Sequence, residues 1–479
     1  MSSSNINFRI TPRAVDHGQW YQDVIRAAGL AAYSEVPGCM IIEPNGCALW
    51  NRIRNCLGAR IEATGHEDMM FPTLIPYSYF KREERHIEGF APELAMIERL
   101  RGKVLEDPLC LRPTSETVIY RYFAERIQTR ADLPIMINQW ANVFRVEQRT
   151  LPFLRTMEFH WQEGHTAHFS EEEARAEALL MGEEYRRFIQ DELAIPCISG
   201  RKTPRERFAG AVDTYTIESL MPSGKALQCA TSHYLGSEFA GAFGVQCIGA
   251  GGALMPVHTT SWGMSTRIIG AIIMTHADDR GMVMPPRIAP VQVAILPVGG
   301  ADDEAIQAMV RAVRDQLAAV GIRVRVDVSG ERIGRQHYAW EKRGVPLRLT
   351  IGRTEVAAGT VTVTRRDTGE KVVLSLAGVE EKVAALLEAQ HHSLLGCAAG
   401  RLADRTRTIE TLADLEVGQA EGAGLFAAGW AGGEAEEVML KERFETTIRC
   451  IPDRPCVTLP RCFLTGQPAR EQVLIAKSY

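Results

Sequence analysis

The segment Phe144 to His165, FRVEQRTLPFLRTMEFHWQEGH, sets arginines, carboxylates, an imidazole and aromatic rings within one short stretch of chain. Guanidinium forks meet phosphate oxygens two bonds at a time, carboxylates receive an ammonium, and a flat ring stacks on a base. Alternation in both halves predicts two short strands joined by a reversal at Leu151-Pro152. On that reading Arg145 and Glu147 share a face, Phe144 and Val146 point into a core, and Phe159, Trp161, Glu163 and His165 follow Arg155 and Met157 along one face of the second strand. The floor of one pocket then carries two arginines, two carboxylates, an imidazole and two aromatic plates, which suits a nucleotide beside a small zwitterion. The same pattern also fits a surface hairpin with solvated charges.

Other elements must bring partners to that floor. Apolar stripes predict helices over Gln19–Leu30 and Leu49–Thr64, and Ser170 caps a strongly helical run to Leu193 that opens on three glutamates. The stretch MMFPTLIPYS reads as an extended strand interrupted by Pro72 and Pro76. PLCLRPTSETVIYRYFAERI passes from strand to helix, with Thr114 or Ser115 as N-cap and Glu116 in the first turn. Beyond Phe208, alternation on both sides of a Pro-Ser-Gly turn predicts a second hairpin, and TTSWGMSTRIIGAIIMT places Gly263 and Arg267 at the start of an apolar helix. From Val291 the order is strand, helix from Asp302 to Val320, strand, helix from Ile333 to Arg343, then strands PLRLTIG and VTVTRR and a final helix. That order predicts a three-layer α/β unit. After Leu395 the chain turns rich in Ala and Gly.

Composition narrows the class. A chain of 479 residues with 46% hydrophobic and 24% charged residues is a multidomain globular protein, and its net charge of −5 gives no global basic field for nucleic acid. The N-terminal text lacks an apolar leader, and no stretch is apolar for the length of a membrane span, so a cytoplasmic protein is expected. Eleven cysteines are then reduced thiols, most of them inert core residues such as Cys110 and Cys197.

LRPTSET, NQWANVFRVEQRTLPFLRTMEFHWQEGHTAH, GRKTPRERFAGAVDTYTIESLMPSGKALQCATSHYLG and TSWGMSTR followed by HADDRGMVMPPRIAPVQV, in this order, resemble the class II aminoacyl-tRNA synthetases and, over nearly the whole chain, prolyl-tRNA synthetase. The resemblance implies an α+β fold: an antiparallel-sheet catalytic domain over 1–286, an α/β anticodon-binding domain over 287–395 and a small α+β C-terminal domain over 396–479. The absence of GxGxxG and P-loop patterns agrees with that. It implies proline, ATP with Mg²⁺ and tRNA(Pro) as partners, no DNA, and a homodimer through Gly65 to Pro72. The resemblance assigns the following roles: Arg145 is expected to bridge the amino-acid carboxylate and the α-phosphate, while Arg155 and Arg267 are expected to hold the β and γ phosphates. Phe159 lies under adenine and Glu147 accepts from its amine. Gln228, Thr231, Thr156 and Ser265 belong to the ATP site, with Gln228 and Glu218 on the metal side. Thr114 and Glu116 receive proline's ammonium, and Trp161, Glu163, His165, Phe208, His233 and Ser261 wall the pyrrolidine pocket.

Each residue also has a plainer reading. Glu116 is then a helix-start carboxylate, His165 and His233 are hydrogen-bonded core histidines, and Phe159 and Trp161 are core rings. Arg267 opposes a helix dipole unless a polyphosphate sits before it. About one hundred residues separate His165 from Arg267, too few for an inserted editing domain. Alanine or cysteine charged in error is then removed in trans, since a proline pocket rejects smaller side chains by only about 1–3 kcal/mol.

Two departures from the family pattern stand out. Of a four-cysteine zinc site only Cys462 remains: AGGEAEE follows Trp430, Thr465 stands where the last thiolate belongs, and Cys450 and Cys456 lie outside the pattern. Zinc is therefore not expected. Thr350 in PLRLTIG replaces a glutamate common in relatives, which puts anticodon reading in question. Two competing functions are a paralogue that passes proline or an analogue to a non-tRNA acceptor, and a non-catalytic relative that the Arg145, Arg155, Arg267 set argues against.

Overall fold

The computed structural model describes residues 8–81, 94–299, 303–422, 424–455 and 457–479. Ile135–Phe144, Glu158–His168, His258–Ser265, Ala226–Gly236, Asp213–Leu220 and Ile198–Arg201 hydrogen-bond in that order as one antiparallel sheet, and Glu67–Asp68 adds a parallel strand at its outer edge. The helix Glu171–Leu193 covers one face. Its capping box, Ser170 with Glu173, satisfies the first-turn amides, and Ala178, Met181, Tyr185 and Phe188 turn to the sheet. Small residues let helix and sheet close: the Ser232 hydroxyl donates to Ala178 O at 2.7 Å, and the absent side chain of Gly164 is replaced by the Trp262 ring. Strand alternation then sends Thr231, His233, Ser261 and Glu163 to the other face.

The first hairpin differs from expectation. Its leading strand ends at Phe144, where the predicted one began, and residues 145–157 form a long loop closed by Arg145 N to Met157 O at 2.8 Å and a Leu151–Arg155 bridge. Phe153 adopts φ 61°, so strand alternation does not govern the loop side chains. MMFPTLIPYS is likewise a strand only over Leu74–Pro76, because the Phe71 amide is satisfied by the Gln139 side chain at 2.7 Å.

In the α/β unit, Val324–Val326, Val293–Pro297 and Leu347–Ile351 are parallel, and Thr360–Arg365 and Lys371–Ser375 extend the sheet antiparallel; the last strand was not foreseen. Helices Glu304–Ala319 and Val379–Asp404 pack on one face around Val313, Leu317 and Val383, and Ile333–Lys342 packs on the other with Trp340. The expected helix start at Asp302 lies outside the described residues. The boundary at 395 falls inside the helix Val379–Asp404, which runs unbroken from one unit into the next.

The C-terminal strands Thr406–Ile409, Leu425–Trp430, Glu471–Ala476 and Thr447–Pro452 form a sheet that does not stand alone. Ile451 pairs with Arg201 and Pro452 with Gly200, which joins it edge to edge with the catalytic sheet. Gly200 makes this approach possible: a Cβ there would lie 2.5 Å from Ile451 O.

Candidate active site

A cavity of about 260 Å³ opens on the face of the catalytic sheet opposite the long helix. Thr114, Glu116, Arg145, Phe159, Trp161, Glu163, His165, Phe208, Gln228, Thr231, His233, Ser261, Ser265 and Arg267, all predicted site residues, line it. Glu147, Arg155, Thr156 and Glu218 do not. A slightly larger hollow, about 300 Å³, lies beside Asp23, Arg26 and Glu43, but a single arginine reaches it and no such set of rings and charges converges there.

At one end the polar groups are already paired. The Glu163 carboxylate accepts from Ser115 Oγ at 2.5 Å and Gln139 Nε2 at 2.6 Å, and it meets His165 Nε2 at 3.1 Å. Burial pushes the Glu163 carboxyl up, yet its hydrogen bond and charge contact with His165, together with the Ser115 and Gln139 bonds, hold it below the usual range. His165 is the mirror case: burial alone would lower it, and the bond to Glu163 with the charges of Glu116 and Glu163 leaves it raised. The Thr114 hydroxyl donates to Glu116, which is also buried. His233 stays neutral, held down to about 3 by burial and by the His165 charge, with Nδ1 3.0 Å from the Thr214 hydroxyl and its ring 4.6 Å from Phe208. Around this cluster Trp161 Nε1, His165 Nδ1 and Ser261 Oγ are buried with no hydrogen-bond partner among the described residues. Buried polar atoms are seldom left so, and all three belong to residues that line this one cavity.

The other end carries the guanidiniums. Arg145 Nε donates to Pro113 O at 3.0 Å, and the guanidinium carbon stands 5.5 Å from the centre of Phe159 and 5.4 Å from that of Trp161. Two aromatic faces flank its cation. Arg267 is the first residue of the helix Arg267–His276, and its Nε donates to Leu154 O at 3.2 Å. Burial, then the neighbouring Arg155 cation, lowers its pKa, which an approaching anion would relieve. Arg155 itself is 47% exposed and lies 3.6 Å from Glu147 on the loop. The expectation that both line the pocket floor is corrected by the loop: with no strand at Glu147 or Arg155, nothing turns them inward.

Glu218 is corrected as a metal-side residue. Its oxygens take Lys202 Nζ at 2.9 Å and Arg449 Nη2 at 2.9 Å, and it faces a small separate cavity with Leu425 and Cys450. Two cations occupy the lone pairs that a metal would need. In the C-terminal domain Cys462 is buried, and Cys450 belongs to a different apolar cluster; Cys456 lies outside the described residues. Burial raises the Cys462 thiol, but bonds from the Thr465 hydroxyl and from the amides of Thr465, Leu464 and Ala431 bring it below its ordinary value. Among the described residues no three His, Cys, Asp or Glu side chains converge to hold a metal.

Residue-by-residue reading missed Ser115, Gln139, Glu206, Arg207, Thr214 and Trp262. Ser115 occupies the expected N-cap position but spends its hydroxyl on Glu163 rather than on the helix. Gln139 reaches Glu163 because the two are direct partners in strand register, which no local pattern reveals. Glu206 and Arg207 had a signal, a charged PRERF run directly before Phe208.

An antiparallel sheet with guanidiniums, rings and carboxylates on its open face defines a class II aminoacyl-tRNA synthetase, and residues 100–276 match the tRNA synthetase class II core domain (G, H, P, S and T). Residues 292–386 match an anticodon binding domain and 417–479 the prolyl-tRNA synthetase C-terminal domain. The chain is 48% identical over 478 residues to the proline--tRNA ligase of Symbiobacterium thermophilum, covering 98% of both chains. It is 44% identical to that of Chloroflexus aggregans, with 98% and 99% covered. It is also 44% identical to the chloroplastic/mitochondrial proline--tRNA ligase of Arabidopsis thaliana, with 98% and 88% covered. The chain belongs to the proline--tRNA ligases.

Proposed function

We propose that this cavity activates L-proline with ATP to prolyl-adenylate and that the chain then passes the prolyl group to the 3′ end of tRNA(Pro). The observation that carries the reading is the convergence on one cavity of the Glu116 and Glu163 carboxylates, the Trp161 and Phe208 rings, and the Arg145 and Arg267 guanidiniums. Glu116, aligned by Thr114, receives the secondary ammonium, and Trp161, Phe208 and His233 wall the ring. Glu163 and His165 neutralise each other and fix the pocket's shape. Arg145 bridges the proline carboxylate and the α-phosphate, so that the attacking oxygen and the phosphorus meet in line. Arg267 balances the leaving pyrophosphate, and Arg155 joins it by swinging from Glu147. Phe159 stacks with adenine, and Gln228, Thr231 and Ser265 complete the nucleotide site. Mg²⁺ would enter with ATP as its counter-ion, with Gln228 on its side of the site, and would screen the phosphates. No side chain forms a covalent bond with substrate: the carboxylate displaces pyrophosphate, and a ribose hydroxyl later displaces AMP.

A cytoplasmic homodimer accompanies this reading. Met70 is 87% exposed beside the edge strand Glu67–Asp68, an apolar group where a second subunit would cover it. No helix among the described residues is long and apolar enough to cross a membrane.

Proline-dependent ATP–pyrophosphate exchange tests the first half and charging of a tRNA(Pro) transcript the second. No exchange with proline overturns the reading. Exchange without charging favours the non-tRNA acceptor, for which Thr350 is the pointer: its hydroxyl lies 3.1 Å from His337 Nε2, an imidazole that burial and the Arg348 charge push down to about 4.

A further inference from the structure

The segment Lys202–Phe208 leaves the catalytic sheet after strand Ile198–Arg201, makes one short turn at Pro204–Glu206, and re-enters before Asp213. Its second half faces the amino-acid end of the cavity, where Glu206, Arg207 and Phe208 are lining residues. The far end of this strap is tied to His233: the Phe208 amide donates to the Thr214 hydroxyl at 3.1 Å, and that oxygen lies 3.0 Å from His233 Nδ1.

Its first half faces the C-terminal domain. Thr203 is 3% exposed, and its hydroxyl donates to Glu437 Oε2 at 2.9 Å. Glu437 sits on the helix Glu434–Phe444 and is itself buried, so loss of either partner leaves the other poorly solvated. Lys202, next along the strap, is held by Glu218, which Arg449 of the C-terminal strand Thr447–Pro452 grips with Nε at 3.1 Å and Nη2 at 2.9 Å. Arg205 adds a weaker surface contact to Glu434 at 3.6 Å. The Lys202 amide also donates to Thr214 O at 2.8 Å, but both buried side-chain anchors of the strap's first half come from the C-terminal domain or from a carboxylate that this domain clamps.

We propose that the C-terminal domain fixes the wall of the imino-acid cavity, with Glu437 acting through Thr203 as a positioning residue that holds Glu206, Arg207 and Phe208 against the substrate ring. A short turn pinned at both ends has little freedom. Release of one end lets Phe208 withdraw from His233 and widens the space beside Trp161. Glu437 touches neither substrate, so its effect falls on proline affinity and on rejection of smaller amino acids, not on ATP. The inference rests on proline being the amino acid bound there.

The test compares wild type with Thr203→Val, Glu437→Met and Glu437→Gln in ATP–pyrophosphate exchange, with KM measured separately for proline and for ATP, and with alanine as the competing substrate. Thr203→Val and Glu437→Met each raise KM for proline about tenfold, a loss of about 1.4 kcal/mol. They leave KM for ATP within about twofold and narrow the proline-to-alanine ratio of kcat/KM. Glu437→Gln keeps an acceptor for the Thr203 hydroxyl and retains the wild-type KM. The double variant Thr203→Val/Glu437→Met is no worse than either single one, because both cut the same bond. Equilibrium binding of proline to each variant, with the unfolding midpoint recorded alongside, reads the same loss where turnover is too slow to measure. An unchanged KM for proline in both Thr203→Val and Glu437→Met overturns the proposal, as does an equal rise for proline and ATP. If wild type shows no proline-dependent exchange, the functional reading has failed; if wild type is active and the variants match it, only the coupling has.

Discussion

The two ends of the cavity, proposed above to take the amino acid and the phosphates, are built on opposite plans. At the amino-acid end, Glu163, His165, Ser115, Gln139, Thr114 and Glu116 hold one another through short hydrogen bonds away from water. At the phosphate end, Arg145 rests on two rings, Arg267 is lowered by burial and by a like charge, and Arg155 lies half in solvent against Glu147. Rigid pairing suits discrimination of a small ring, where fractions of an ångström matter. Guanidiniums gathered at one end of a cavity suit a triphosphate, which brings counter-charge when it binds.

If the amino-acid end is preassembled, breaking it should damage the fold as well as the function. Glu163→Leu strands His165, Ser115 and Gln139 and is expected to cost about 3–5 kcal/mol of stability in denaturant titration. A loss below about 1 kcal/mol would show that the cluster is not a structural unit. The phosphate end should respond the other way. Arg267→Ala and Arg145→Ala are expected to lower kcat for exchange by about 10²–10³-fold while leaving the unfolding midpoint near wild type, and a midpoint that falls with activity would erase the contrast.

The pH dependence sharpens it. His165 has a raised folded pKa, so its stabilisation is fully present below 6.5 and is lost as pH rises through that raised value. Glu163 is lowered, so its contribution is present above 4.5 and lost as pH falls through the lowered value. The pair is therefore strongest between 4.5 and 6.5. His233 and His276, each buried neutral and held to about 3, act against this: below 6.5 the unfolded chain takes up protons that they refuse. Each contributes a slope of about 1.4 kcal/mol per pH unit. Thermal unfolding at pH 7 and pH 5 should show the chain weaker at pH 5, and His233→Gln with His276→Gln should flatten the trend; a flat wild-type profile contradicts it.

Smaller effects are expected at the loop and at the last residue. Arg155→Ala should raise KM for ATP by about tenfold with a stability change under about 0.5 kcal/mol, since the exposed pair with Glu147 is worth little. Tyr479 hydrogen-bonds from its amide to Ala226 O at 3.2 Å and through its hydroxyl to Ser223 at 2.6 Å, and it packs against the catalytic core. A tag fused after Tyr479 should therefore lower adenylation more than a tag at Met1, and equal activities would refute that.

Much of the site was legible because its parts lie on one strand. Phe159, Trp161, Glu163 and His165 face the cavity at a period of two, as the alternation requires. The arginine at the head of an apolar helix was legible as a discomfort: a cation at a positive helix end invites an anion. What failed was the loop. Alternation carried past Phe144 put Glu147 and Arg155 indoors, whereas a chain reversal at Pro152 and the positive φ of Phe153 ended the strand rule there. Glu218 failed for another reason, since Lys202 is sixteen residues away and Arg449 lies in another domain.

The sequence by itself determined the main helices, most of the strands, the family and most of the residues that line the cavity, because period and motif are local and survive without knowledge of neighbours. Only the tertiary structure decided who neutralises whom. Gln139 and Ser115 meet at Glu163, Arg449 crosses from the C-terminal sheet to Glu218, and Thr203 finds Glu437, each through register or docking between segments far apart in the chain. Buried charges are settled by whichever partner arrives within hydrogen-bond reach, and that is fixed only when the elements pack.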